Sequence, residues 1–140
     1  MSVSLHSVPG TGAALGWADG HTIVVDRPEG RAGGTGLGFN GGQLIAFAIG
    51  GCLCNDLRYT AEKMQIAIGS LAVHVNVQLD GEPLMVRTAE VTVHLEGDTP
   101  VSDFDQLLRQ AVQVSAVRNS VVAGFPVTVK GHWEEGEKAP

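Results

Sequence analysis

"FNGGQLIAFAIGGCLCNDLRYTAEKM", residues 39–64, decides the fold of this 140-residue chain. Asn40 stands where a helix N-cap would, and Gln43 follows at the capping-box spacing. Leu44, Ile45, Ala48, Ile49, Cys52 and Leu53 fall on one side of a 3.6-residue period, which predicts a long amphipathic helix. Asn55, Asp56, Arg58, Glu62 and Lys63 make its later turns polar. Cys52 projects near the centre of the apolar arc, whereas Cys54 lies about 200° away. Side chains at i and i+2 of an intact helix do not face each other, so a Cys52–Cys54 disulfide requires local unwinding. Cys52 has two readings at this point: a small apolar core residue, or a thiol presented for chemistry.

Upstream, "GAALGWADGHTIVVD" sets Asp19-Gly20 between two β-prone segments, a strong hairpin signal. "RPEGRAGGTGLGFNGG", residues 27–42, is too rich in glycine for a regular element. Downstream the period changes to two. Leu71, Val73, Val75, Val77 and Leu79 alternate with polar or small residues, as do Val91, Val93 and Leu95, and then Val127, Val129 and Trp133. Such alternation predicts half-buried antiparallel strands. Between the last two, "PVSDFDQLLRQAVQVSAVRNSV" predicts a second helix. Ser102 and Asp105 would cap it, and Phe104, Leu107, Leu108, Ala111 and Val112 form its apolar face. The expected order is two strands, a long helix, two strands, a second helix and a closing strand: an α+β fold with an antiparallel sheet packed by two helices. It forms one domain over residues 1–140, with 134–140 expected to fray.

The formal charge of −6 argues against nucleic acid as a partner. The longest apolar run, "LIAFAIGGCLC", is too short to span a membrane. "MSVSLHSVPG" has neither a basic nor an apolar signal region, so a cytoplasmic location is expected. Two cysteines this close form no disulfide framework.

From the glycine-rich loop to Cys52, "GGTGLGFNGGQLIAFAIGGC" resembles the first-helix motif of the OsmC/Ohr family of hydroperoxide reductases, which typically reads "GGTGxGPNPxELLLAALAAC". The resemblance continues through "YTAEKM", the alternating strands, the second helix and "FPVTVKGHW". It implies an OsmC-like α+β fold and an intertwined homodimer with a reactive pocket at its interface. It implies an activity as well: a thiolate attacks the O–O bond of an organic hydroperoxide, and the sulfenic acid condenses with a second cysteine that a dithiol then reduces. Cys52 matches the attacking cysteine. The second cysteine, in a "CPxS"-like motif, is replaced here by Ser115 of "SAVRNSV". The family's glutamate ten residues before the reactive cysteine corresponds to Gly42, and the proline of its Asn-Pro to Gly41. Many members hold the thiolate with an arginine near the first hairpin. "WADGH" has none, which leaves Arg27, Arg31 and Arg118 as candidates. A free thiol is only a few per cent ionised at neutral pH, so the chemistry turns on a nearby cation.

"GLGFNG", residues 36–41, matches G-x-G-x-x-G, but no tight strand-to-helix turn precedes it and no parallel βαβ pattern follows. His74 and His94 lie on polar strand faces without a third metal ligand. Ser115 has no GxSxG context for a hydrolase triad. Trp17 and Trp133 read as core or interface residues. No cofactor and no metal are expected. Two functions are carried forward. One is a thiol peroxidase for organic hydroperoxides in oxidative-stress defence, with a one-cysteine cycle in which an external thiol, or Cys54, reduces the sulfenic acid. The other is a homodimer of the same fold that binds a small apolar ligand without turnover.

Overall fold

A computed structural model describes residues 1–133 of the chain; the expected frayed tail, 134–140, lies outside the described residues. The elements in order are β1 (Ser4–Ser7), β2 (Ala14–Ala18), β3 (His21–Val25), α1 (Gly41–Met64), β4 (Ser70–Asp80), β5 (Met85–Glu96), α2 (Val101–Val114) and α3 (Ala116–Ala123). The strands form two antiparallel sheets, β1-β2-β3 and β4-β5, where the sequence predicted one. The Asp19-Gly20 hairpin is present, with Ala18 paired to His21 and Asp19 at a φ of 52°. β1 was not expected, because "SLHS" shows no buried alternation and all four residues are exposed. It is held by main-chain pairing to β2.

α1 begins as its sequence dictates. The Asn40 side chain accepts from the Gln43 N–H at 3.0 Å, and Gln43 Oε1 accepts from the Asn40 N–H at 2.9 Å. The helix ends at Gln65, whose left-handed backbone lets its N–H reach the carbonyls of Ala61 and Glu62. The buried stripe is Ile49, Leu53, Leu57 and Ala61, at steps of four. That corrects the predicted face, in which Ile45 and Ala48 were placed inward; both are exposed. α2 covers only the later half of α1, where Leu53, Leu57 and Ala61 share one buried cluster with Leu107 and Ala111. Val73 and Val93 pack on that cluster from the β4–β5 ladder. Gly50 lets α1 approach β4, since a Cβ there would stand 2.9 Å from Val75.

The predicted second helix is divided. α2 stops at Val114, Ser115 is extended (φ −65°, ψ 107°), and α3 starts at Ala116. The Asn119 side chain donates to the Gln113 carbonyl at 2.9 Å, which satisfies an acceptor left open at the break. The expected Ser102–Asp105 cap does not form. Pro100 occupies the N-cap, so Ser102 already lies inside the first turn. The closing strand is also absent among the described residues. Val127 and Val129 are 76% and 89% exposed, and neither belongs to the β1-β2-β3 or the β4-β5 sheet. Trp133 is likewise exposed, while half-exposed Trp17 lies against His6 on the first sheet.

The glycine-rich loop is tied down by a residue that pattern reading passed over. Asp26 is buried directly after β3. Its carboxylate accepts from the Thr35 N–H and hydroxyl at 3.0 Å each, the Leu37 N–H at 3.1 Å and the Arg27 N–H at 2.8 Å. Gly34 and Gly38 fit because the loop backbone presses on Arg27, Pro28 and Val24, leaving no room for a Cβ. The Thr35 N–H contributes most to holding Asp26 down from 3.8 to about 2; burial opposes the shift, and the Leu37 and Arg27 N–H groups and the Thr35 hydroxyl add to it. A carboxyl whose folded value is depressed stabilises the fold above its unfolded value and loses that contribution as pH falls towards its folded one. Urea midpoints of the wild type should therefore drop between about pH 4 and pH 2. Those of Asp26→Asn should start lower and converge on the wild type over the same window. Parallel pH curves would remove Asp26 from this role.

Candidate functional site

α1 carries Cys52 between Ile49 and Leu53, on the flank of the buried stripe, and leaves it half-buried. Two side chains meet its sulfur. The thiol donates to Asp56 Oδ2 at 3.3 Å, one helical turn further along α1. The Ser115 hydroxyl donates to Cys52 Sγ at 3.8 Å from the α2–α3 break. Ser115 is fully buried, and its side chain makes no capping bond to α3 because the hydroxyl turns toward the sulfur instead. The break is thus what brings position 115 to position 52 across 63 residues of sequence.

Cys54 is also a free thiol, but it belongs to the other side of α1. It lines a separate groove with Phe39, Phe47, Gly50, Val73 and Val75. The helix is unbroken from Gly41 to Met64, so the geometry that keeps the two thiols apart is intact.

An open cleft of about 560 Å³ lies between α1, β5, α2 and α3; Ile49 and Leu53, which flank Cys52 on α1, line it, and Cys52 itself does not. Ile49, Leu53, Val91, Val112 and Val121 give it an apolar lining, and Arg87 and Arg118 also line it, although the Arg87 Nε–H is taken by the Asp80 carbonyl at 3.3 Å. Its volume and character suit a small, largely apolar molecule.

The three arginine candidates are placed differently. Arg118, in α3, lines this cleft and donates to Asn119 Oδ1 at 3.0 Å. Arg27 lies in the loop, with a nitrogen 3.9 Å from the Asp26 carboxylate. Arg31 is exposed in the same loop, its N–H bonded to the Pro28 carbonyl. No guanidinium hydrogen-bonds the Cys52 sulfur among the described residues. The group that does touch it and that sequence reading missed is Asp56, assigned there only to a polar turn. Its spacing of four from Cys52 was the available signal. His74 and His94 meet edge to face, with ring centroids 5.6 Å apart, on the solvent side of the β4–β5 ladder.

Comparison with known proteins bears on this geometry. The profile of the family described as OsmC-like protein matches residues 34–130, from the glycine-rich loop past α3. No curated protein matches the sequence at a significant level. Among solved structures, the chain is similar to an OsmC-like protein from Mycoplasma pneumoniae, with a TM-score of 0.75, 13% identity and 86% of each chain covered. It is similar to the organic hydroperoxide resistance protein OhrB of Bacillus subtilis at a TM-score of 0.62 and 20% identity, covering 86% of this chain and 88% of that one. An organic hydroperoxide resistance protein from Legionella pneumophila gives a TM-score of 0.64 and 20% identity, with 86% and 87% covered. At these identities the likeness establishes the fold. No described helix is long and apolar enough to cross a membrane.

Proposed function

The chain belongs to the OsmC-like protein family, and from that premise we propose that it is a thiol-dependent peroxidase that reduces organic hydroperoxides in oxidative-stress defence, with Cys52 as the attacking sulfur. The observation that carries this reading is the 3.8 Å approach of the Ser115 hydroxyl to Cys52 Sγ. The residue that stands where the resemblance puts a second cysteine touches the sulfur that stands for the first. A hydroxyl cannot complete a disulfide, so the cycle uses one cysteine. The sulfur attacks the peroxide, becomes a sulfenic acid, and is returned to the thiol by an external small thiol. Cys54 is the lesser candidate for that reduction, because it faces the opposite groove.

The cleft lined by Ile49 and Leu53, the neighbours of Cys52 on α1, receives the organic part of the substrate, and of the three candidate arginines Arg118 lines it. Arg27 and Arg31, in the glycine-rich loop, do not line it. A homodimer fits the surface this chain leaves open: Phe47, Phe125, Val127 and Trp133 are all more than 60% exposed. A partner's strand edge is what the alternating residues 126–130 need in order to form the strand their sequence predicts.

A second reading, a binding protein without turnover, is favoured by the lack of any guanidinium hydrogen-bonded to the sulfur among the described residues. Peroxide consumption separates the two. Reduced protein, mixed with cumene hydroperoxide and dithiothreitol, should consume peroxide well above the rate without protein, and Cys52→Ser should return consumption to that background. Equal rates for the two proteins would end the peroxidase reading and leave the binding one.

A further inference from the structure

Three features of the molecule fall outside the proposed cycle: the groove containing Cys54, the edge-to-face histidines on the outer side of β4–β5, and the carboxylate at the Cys52 sulfur. The third carries an inference. We propose that Asp56 is the proton acceptor for Cys52, a group the chain supplies one turn after the sulfur where the resemblance would place an acidic residue ten positions before it. The proposal rests on the peroxidase reading for its chemical setting, but its test does not.

The geometry is direct. Cys52 Sγ and Asp56 Oδ2 lie within hydrogen-bond distance at 3.3 Å, with the thiol the donor, which puts the carboxylate within reach of the proton it would take. Asp56 is half-buried and has no ion-pair partner among the described residues, so the carboxylate is free to take the proton. From the opposite side, the buried Ser115 hydroxyl donates to the same sulfur and supports the negative charge that develops when the proton leaves. None of the other charged groups on the elements packed around this point hydrogen-bonds the sulfur: Glu62 and Lys63 of α1, Asp105 of α2 and Glu90 and Glu96 of β5 are exposed, and Asp103 of α2 is half-buried. Arg118 of α3 and Arg87 of β5 line the neighbouring cleft, Arg109 of α2 and Arg58 of α1 are exposed, and β4 faces α1 with Val73 and Val75. Ser115 and Asp56 are therefore the polar groups in contact with the sulfur.

In the peroxidase step, Asp56 takes the Cys52 proton as the sulfur attacks the terminal oxygen of ROOH. The O–O bond breaks with its electron pair going to RO⁻, and the new S–O bond makes the sulfenic acid Cys52–SOH. The proton held by Asp56 passes to RO⁻ to release ROH. Sulfur is oxidised by two electrons, the peroxide is reduced by two, and the carboxylate is regenerated.

The test measures carbamidomethylation of Cys52 by iodoacetamide from pH 5.5 to 8.5, with fragmentation mass spectrometry separating Cys52 from Cys54. At pH 6 carboxylates are ionised while an unassisted thiol is almost wholly protonated. Positioned proton transfer contributes roughly 10²–10⁴-fold, so Asp56→Asn should slow the reaction at pH 6 by about a hundredfold. The wild-type rate should be nearly flat with pH, the Asn variant should climb tenfold per unit, and Asp56→Glu should recover most of the rate at low pH. Asp56→Asn keeps the side chain's shape, and unchanged thermal melting would confirm that its fold is intact. Identical profiles for wild type and Asp56→Asn, or a faster reaction in the variant at pH 6, would overturn the proposal. An Asp56-dependent alkylation in a protein that consumes no cumene hydroperoxide would sustain it while removing the peroxidase reading.

Discussion

Leu57→Ala should lower the stability of the fold by about 2–5 kcal/mol, the usual cost of truncating a fully enclosed leucine. Leu57 has no exposed surface and sits where α1, α2 and the β4–β5 ladder converge, together with equally enclosed Leu107. Removing three carbons there leaves a void that helices pinned on both sides cannot close. The same change at Ile45, which is 39% exposed, should cost far less, within about 1 kcal/mol. The pair also tests the corrected helix face, because both residues belong to the same helix and both are large and apolar. Urea denaturation followed by circular dichroism reads the two midpoints. Similar losses at positions 45 and 57 would mean that the first turns of α1 are packed in solution and that its buried stripe has been misplaced.

Ser115→Cys should place a second thiol against Cys52 and give a pair that closes on oxidation. Ser115 Oγ already lies 3.8 Å from Cys52 Sγ. A thiol there has longer C–S bonds on both sides, and a small rotation brings the sulfurs to the roughly 2.05 Å of a disulfide. One equivalent of cumene hydroperoxide should yield an internal 52–115 disulfide that dithiothreitol reverses, seen as a faster band on a non-reducing gel and as a cross-linked peptide pair. The wild type, treated identically, should give no such link. A loop of more than sixty residues closed in this way should also raise the thermal midpoint of the oxidised variant, since its unfolded chain is constrained. A variant that oxidises only at Cys54, or that links between molecules, would show that positions 52 and 115 do not face each other in solution.

Local signals in the sequence placed α1, its capping box, the Asp19-Gly20 hairpin and both long strands correctly, because each depends on residues that are neighbours in the chain. The divided second helix was not legible. Nothing in "QVSAVRN" breaks helical periodicity, and the break coincides with Ser115, whose hydroxyl meets a sulfur on another element. The inward face of α1 was read too far toward its N-terminus, because periodicity fixes an angle and not how much of a helix its neighbours reach. Alternation alone predicted a last strand at 126–133, but a strand also needs an edge to pair with, and this chain offers none there. At the candidate site, the resemblance singled out Cys52 and Ser115, and the fold sets their side chains 3.8 Å apart. Asp56 and Asp26 went unnoticed because an acidic residue in a polar turn looks the same whether it is solvated or bound until its partners are placed around it.

The central claim is that Cys52 is the sulfur that meets the peroxide. Reduced wild-type protein treated with one equivalent of cumene hydroperoxide in the presence of dimedone, then digested and sequenced by mass spectrometry, tests it most directly. The dimedone adduct should appear on Cys52 and be lost in Cys52→Ser. An adduct on Cys54 alone, or none on either thiol while the peroxide stays intact, would contradict the account.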